Sequence, residues 1–244
     1  ERRNRFLLSV EVEGREEAAH LPNPGRLQEL LLPGARLLLL PIPDRRPSPR
    51  KTRFEAFAVK AEEGWTTIDS RLPNRLFREA LERSRLKPFR GYGSFRPEFP
   101  FAGGRVDFLL RGDGLPDCLV EVKGCTLVRR GTALFPDAPT LRGTRHLAEL
   151  GAAATEGYRA CVVFIVQRPG ARLLRPNDET DPAFAREARR ALERGVEFFA
   201  FRTLWERGEL ELGPPIPVEI PVMDGPGTGA TEDATFSRKR ERTR

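Results

Sequence analysis

Two carboxylates and a lysine sit in a stretch of the chain that otherwise reads as the inside of a sheet. The stretch is Gly104–Thr126, G-R-V-D-F-L-L-R-G-D-G-L-P-D-C-L-V-E-V-K-G-C-T. Arg105–Arg111 and Asp117–Thr126 read as two strands of a hairpin, joined by the Gly/Pro turn Gly112–Pro116. Strand side chains alternate between faces, so Leu119, Glu121 and Lys123 share one face and Val120 and Val122 the other, while Asp107 is set opposite Val106 and Phe108. A charge left alone among Val, Leu and Phe is costly. Such groups pair with one another or hold a cation. Asp107 and Glu121 suit Mg²⁺ or Mn²⁺, which commonly take one or two protein carboxylates plus substrate phosphate. A metal held there can generate hydroxide and polarise a phosphoryl oxygen. Lys123 can position or deprotonate the attacking water and offset charge on phosphorus. Glu98, nine residues before Asp107 on the neighbouring strand, can complete the acidic cluster. E-x-K on a strand is common, however. From these residues alone a structural Glu121–Lys123 ion pair is favoured over a metal site.

The elements that must position these groups fall into two domains and a tail. Residues 1–87 read as an OB-type β-barrel followed by a linking helix. Its strands are expected at Phe6–Glu13, Glu17–Leu21, Ala35–Pro41, Phe54–Ala61 and Trp65–Asp69, with a short helix at Gly25–Leu32. A Pro-rich loop within Pro41–Arg53 carries Arg45, Arg46, Arg50, Lys51 and Arg53 against one acid, Asp44. Pro73–Arg85 has helical spacing of Leu76, Phe77, Ala80 and Leu81. Residues 88–217 read as an α/β domain with a mixed sheet. Its elements are an edge strand at Ser94–Phe101, the hairpin, a loop at Arg129–Thr140 and a helix at Thr140–Gly157. A buried strand at Tyr158–Arg168, a helix capped by Asp181 and a last strand at Val196–Arg202 follow. Residues 218–244 read as a solvated tail ending in S-R-K-R-E-R-T-R.

The formal net charge of +7 and pI near 9.9 are carried mainly by arginine. Residues 1–87 hold 18 Lys and Arg against 13 Asp and Glu. A basic, barrel-like first domain suits a nucleic-acid partner, DNA or equally RNA. Three cysteines without metal-ligand spacing read as buried free thiols of a reducing compartment, hence a cytoplasmic protein. Two histidines exclude a His-rich zinc centre. The longest apolar run, Ala160–Val166, is too short to span a bilayer, so no membrane partner is expected. The sequence does not set the oligomeric state; a homodimer stays open.

D-x(13)-E-V-K across a hairpin, then a helix and a strand ending at Gln167, resembles the PD-(D/E)xK nuclease superfamily, with Val106 in place of its proline. A closer resemblance runs from residue 2 to about 202. R-R-N-R-F at Arg2–Phe6, H-L-P-N-P-G-R at His20–Arg26 and L-P-N-R-L at Leu72–Leu76 carry it in the first part. R-V-D-F-L-L at Arg105–Leu110, V-E-V-K-G-C-T-L at Val120–Leu127, A-L-F-P-D-A-P-T-L-R-G-T-R-H-L at Ala133–Leu147 and V-F-I-V-Q-R at Val163–Arg168 carry it in the second. On these blocks the chain is identified as a member of the sugar fermentation stimulation protein family. The resemblance implies an OB-fold domain, a nuclease-like domain, non-specific DNA binding and a regulatory role in sugar (maltose) metabolism. It implies that Asp107 and Glu121 are metal ligands, that Lys123 is the catalytic lysine and that Glu98 is the additional acid. It further implies that Gln167 orients a water or phosphate, and that Arg142 and His146, one helical turn apart, meet backbone phosphate. Arg26 is a further phosphate contact. Asn23 and Asn74 are explained by turn chemistry, and Asp137 by a cap on the following helix. Two function classes follow: a Mg²⁺- or Mn²⁺-dependent DNA nuclease, or a non-catalytic, sequence-nonspecific DNA-binding regulator on the same scaffold.

Overall fold

The computed structural model describes residues 1–43, 52–206 and 208–221. Six strands make the first sheet: β1 (Arg2–Asn4), β2 (Leu7–Val12), β3 (Arg15–His20), β4 (Leu37–Pro41), β5 (Phe54–Ala61) and β6 (Gly64–Thr67). Their order is β1-β2-β3-β5-β4, with β6 paired to β5. Among the described residues no pairing joins β4 back to β1 or β2, so the barrel is not closed. Its core is small, built from Leu8, Ala19, Leu21, Leu27, Leu30, Ala56, Val59 and Ile68. The helix expected at Gly25–Leu32 is absent. Leu27 adopts a left-handed backbone (φ +50°), which no α-helix tolerates, and turns deliver Leu27 and Leu30 to the core instead.

Helix α1 (Leu72–Glu82) leaves the first sheet and packs Leu72, Leu76, Phe77 and Ala80 on the second. That sheet contains β7 (Ser94–Phe101), β8 (Gly104–Arg111), β9 (Cys118–Cys125), β12 (Arg159–Val166), β14 (Glu197–Glu206) and β15 (Glu209–Ile216). Its order is β15-β14-β12-β9-β8-β7, mixed in sense: β12 runs parallel to both β9 and β14, and the other pairs are antiparallel. Central β12 is the continuous apolar run, as a strand covered on both faces must be. Pro97 and Pro100 fall on the edge strand β7, and Pro214 and Pro215 on the opposite edge strand β15, where missing amide donors cost no ladder bond. Those prolines hid β15 from the periodicity. β10 (Val128–Arg129), β11 (Thr132–Phe135) and β13 (Leu173–Pro176) form a separate three-stranded sheet, where only a loop was expected at Arg129–Thr140.

One core lies between the second sheet and helices α2 (Leu141–Thr155) and α3 (Pro182–Glu193), and takes Leu119, Val162, Phe164 and Val166. The other, under α1, takes Val120, Val122, Val163 and Ile165. The face of β9 that holds Leu119, Glu121 and Lys123 is therefore the face toward α2. No helix of the described residues is long and apolar enough to cross a membrane.

Candidate active site

The β8–β9 ladder is short. Phe108, Leu109 and Leu110 pair with Val120, Leu119 and Cys118, and beyond Phe108 the strands part. The alternation slips there too, since Val106 joins the same core as Leu109. Parting leaves the Val122 amide without a strand partner, and a buried amide must find one. It donates to Asp107 Oδ2 at 2.7 Å, while Asn74 Nδ2, on the first turn of α1, donates to Asp107 Oδ1 at 3.0 Å. The Asp107 carboxylate is thus held at the fork of the hairpin by one donor on each oxygen.

Glu121, only 4 % exposed, lies beside it. Its Oε1 accepts from Lys123 Nζ at 2.5 Å and from His146 Nδ1 on α2. The tautomer follows from the next contact outward. Arg142 Nε, one turn earlier on α2 and always a donor, lies 3.4 Å from His146 Nε2. Nε2 therefore accepts, and Nδ1 carries the proton given to Glu121. Both donors fall on Oε1, and among the described residues none engages Oε2.

The two carboxyls are displaced in opposite directions. Burial, then the charge of Glu121, raise the Asp107 pKa above the ordinary carboxylate value, against the donors from Val122 and Asn74 and the charge of Lys123. Burial would raise Glu121 as well, but the His146 hydrogen bond and the charge and hydrogen bond of Lys123 outweigh it and hold Glu121 below the usual range. Two carboxylates that feel each other, with lone pairs unspent and one ammonium alongside, fit a divalent cation of the Mg²⁺ kind. Among the described residues no group of three or more His, Cys, Asp and Glu side chains is placed to hold a metal. The available donor set is the pair.

Comparison with known proteins matches the chain to a family over nearly all of the described residues. A family model described as the sugar fermentation stimulation protein RE domain matches residues 71–209, and one described as the SfsA N-terminal OB domain matches residues 1–68. The sugar fermentation stimulation protein homolog of Moorella thermoacetica is 48 % identical over 219 residues, covering 90 % of this chain and 94 % of that one. This chain belongs to the sugar fermentation stimulation protein family. The homolog from Symbiobacterium thermophilum is 42 % identical over 90 % of this chain and 92 % of its own. The solved structure of Pyrococcus furiosus SfsA in complex with Ca²⁺ superposes with a TM-score of 0.81 at 32 % identity, covering 90 % of this chain and 93 % of that chain.

Within this chain the remaining site expectations separate. Glu98 stands across the β7–β8 ladder from Asp107 by register, since its neighbours Pro97 and Phe99 pair with Phe108 and Val106. Yet Glu98 has a left-handed backbone (φ +47°), its side chain is 74 % exposed, and its carboxylate accepts from Arg105 Nη1 at 3.1 Å. It does not join the acidic pair. Gln167 makes no hydrogen bond to that pair among the described residues. Its Nε2 donates to Thr67 O, Thr67 Oγ1 and Asp69 O, tying the end of β12 to the first domain. His146 is buried on Glu121 rather than free for phosphate, and only Arg142 of that pair is exposed. Asp137 does not cap α2. Thr140 does, with Oγ1 accepting from Gly143 N, while Asp137 Oδ2 accepts from Arg26 N across the domain boundary. Arg26 and Arg53 are exposed, Arg53 paired with Glu17; Arg45, Arg46, Arg50 and Lys51 lie outside the described residues. Asn23 makes the expected turn, its Oδ1 accepting from Gly25 N.

Asn74 and His146 are the site residues that sequence reasoning misassigned. Asn74 carried no usable signal. His146 did: Gly143, His146, Leu147 and Leu150 recur at i, i+3, i+4 and i+7, the buried stripe of α2.

Proposed function

We propose that this chain is a Mg²⁺- or Mn²⁺-dependent nuclease acting on DNA. The observation that carries the reading is the convergence of Asp107, Glu121 and Lys123 where β8 and β9 part, with an oxygen of Glu121 that no donor among the described residues engages. Asp107 and Glu121 would hold the metal, which when bound supplies a Lewis acid for the scissile phosphate and an acidified water. The chain's own contributions are distinct. The Val122 amide and Asn74 aim Asp107. His146, itself oriented by Arg142, aims Glu121. Lys123 bonds Glu121 and lies close enough for its charge to act on Asp107, and it can pass to a water or to a phosphoryl oxygen once a cation takes over the charge of Glu121. The exposed arginines of the first domain, and Arg142 beside the site, would meet the phosphate backbone. The Ca²⁺ complex of the Pyrococcus relative supports cation binding within the family.

The test is nicking of supercoiled plasmid with Mg²⁺ or Mn²⁺ by wild type, Asp107→Ala and Lys123→Ala. Loss of cutting in both variants is expected; equal cutting by all three assigns the activity to a contaminant. One observation favours a second reading. Lys123 lies at 2.5 Å from Glu121, as a structural ion pair would. A non-catalytic, sequence-nonspecific DNA binder on this scaffold, with a role in sugar metabolism, would bind DNA in EDTA, lose affinity with salt and cut nothing.

A further inference from the structure

The boundary between the domains holds a second polar site that this chemistry leaves unused. A cavity of about 100 Å³ opens one residue beyond Lys123, between the Asn23–Gly25 turn of the first domain and Gly124–Leu127 at the end of β9. Gln167, 1 % exposed, lines it. Its Nε2 faces two backbone carbonyls, Thr67 O at 3.1 Å and Asp69 O at 3.2 Å, and these can only accept. The amide orientation is therefore fixed, and Oε1 turns the other way, toward Gly124, where a Cβ would meet it at 2.7 Å. Among the described residues nothing donates to that oxygen. Asp137 adds a second acceptor to the wall, since only its Oδ2 is engaged, by Arg26 N. Thr126, also lining the cavity and 7 % exposed, has a hydroxyl without a side-chain partner among the described residues.

Ser70, also in the wall, spends its hydroxyl proton on Pro22 O at 2.7 Å. A site whose unspent side-chain groups among the described residues are acceptors and the Thr126 hydroxyl selects a ligand that presents donors, with at most one acceptor for Thr126. The volume equals the liquid share of about three waters, enough for one edge of a flat ring and not for a sugar and phosphate. We propose that this cavity receives the edge of a single unpaired nucleobase bearing an exocyclic amino group, adenine or cytosine. Its amino group donates to Gln167 Oε1 and Asp137, and its neighbouring ring nitrogen accepts from Thr126. Enzymes that act on exposed bases read the same edge by hydrogen bonds. Thymine, uracil and hypoxanthine put a carbonyl oxygen at the position of that amino group, acceptor against acceptor. Gly124 at the mouth adjoins Lys123, so the nucleotide's phosphate would lie toward the acid–lysine group. The inference rests on the nuclease reading and adds base selectivity to it.

The experiment measures binding of fluorescent dC12 against dU12, and dA12 against dI12, at one low salt concentration in EDTA. Each pair differs in amino group against carbonyl oxygen. Wild type is expected to favour dC12 and dA12 about fivefold, the worth of one net hydrogen bond. Thr126→Val, and Asp137→Asn, which replaces an acceptor by a donor, should bring both ratios toward one. Equal affinities within each wild-type pair, or ratios unchanged in both variants, overturn the inference while DNA binding stands. No binding to any of the four oligonucleotides removes the nucleic-acid reading itself, and this inference with it.

Discussion

Asp107 and Glu121 sit side by side and should respond to pH with opposite signs. The folded chain raises the Asp107 pKa. It therefore binds that proton more tightly than the unfolded chain does, and the stabilisation present below the ordinary carboxylate range is lost as pH rises through the folded value. At neutral pH the ionised group is a net cost. Asp107→Asn should then raise Tm in EDTA by a few degrees, as about 1 kcal/mol would in a chain of this length, and abolish cleavage. The amide fits because its carbonyl oxygen can keep the Val122 amide while Asn74 turns its own oxygen to the new NH₂ group. Glu121 is held low, so its contribution is present above the ordinary range and is lost as pH falls through the folded value. Glu121→Gln should lower Tm at pH 7, and the gap to wild type should close on acidification. Thermal melts of both variants from pH 3 to 8 check the signs; a Tm gain for both would show that mutual repulsion, not the donors, governs the pair. His146→Ala removes the donor that aims Glu121 and should cost about 10- to 100-fold in metal-dependent nicking, the usual size for groups supporting a ligand. His146→Asn keeps an N–H donor and should recover much of it. Equal rates in all three would make His146 a core residue only.

At the scale of elements, Asp181 decides where α2 lies and therefore where His146 points. Its Oδ1 accepts from Phe184 N at 3.0 Å as the cap of α3, and its Oδ2 accepts from Thr140 N at 2.7 Å at the start of α2. One buried carboxylate fixes both helix starts. Asp181→Ala should cost about 2 kcal/mol, at the upper end for a lost cap because a second buried amide is orphaned. It should also weaken cleavage at temperatures where the protein remains folded. Chemical denaturation and nicking rates at 25 °C test the two effects separately. The cap was legible in the sequence, as Asp181-Pro182 before an amphipathic run; its second bond was not, because it joins residues 41 apart. The same divide runs through the fold. The hairpin, α1, α3 and β12 were readable because period 2, period 3.6 or a continuous apolar run is local. β10, β11 and β13 are two to four residues long, too short for any period to show. The Asp107–Glu121–Lys123 set was readable because it lies in one hairpin. Its supports, Asn74 and His146, come from helices on opposite faces of the sheet, and no local spacing encodes which face they reach. Glu98 was misread because its register is right and its backbone is not: a single positive φ turns it outward.

Across the whole molecule, the junction between the domains rests on few polar groups. Gln167 Nε2 serves Thr67 and Asp69, Arg168 Nη2 meets Glu63 Oε2 at 3.0 Å, Arg26 N meets Asp137, and Phe57 stacks edge-on with Trp205. Of these contacts, the one between Gln167 and Thr67 is fully buried on both sides. Gln167→Leu keeps the volume but leaves the Thr67 and Asp69 carbonyls without that donor, at about 1–3 kcal/mol for each orphaned group. The first domain's core, eight buried residues among those described, is too small to absorb that loss unaided, whereas the second sheet is covered on both faces. Calorimetry of wild type should show one transition in which both domains melt together. In Gln167→Leu the first domain should melt at lower temperature, ahead of the second, and the calorimetric enthalpy should exceed the van't Hoff value. Arg168→Ala, which breaks a partly exposed pair, should shift Tm far less. A single transition in Gln167→Leu at the wild-type Tm would place the coupling elsewhere, in α1, which follows the first sheet directly, packs on the second and carries Asn74 to Asp107 from its first turn.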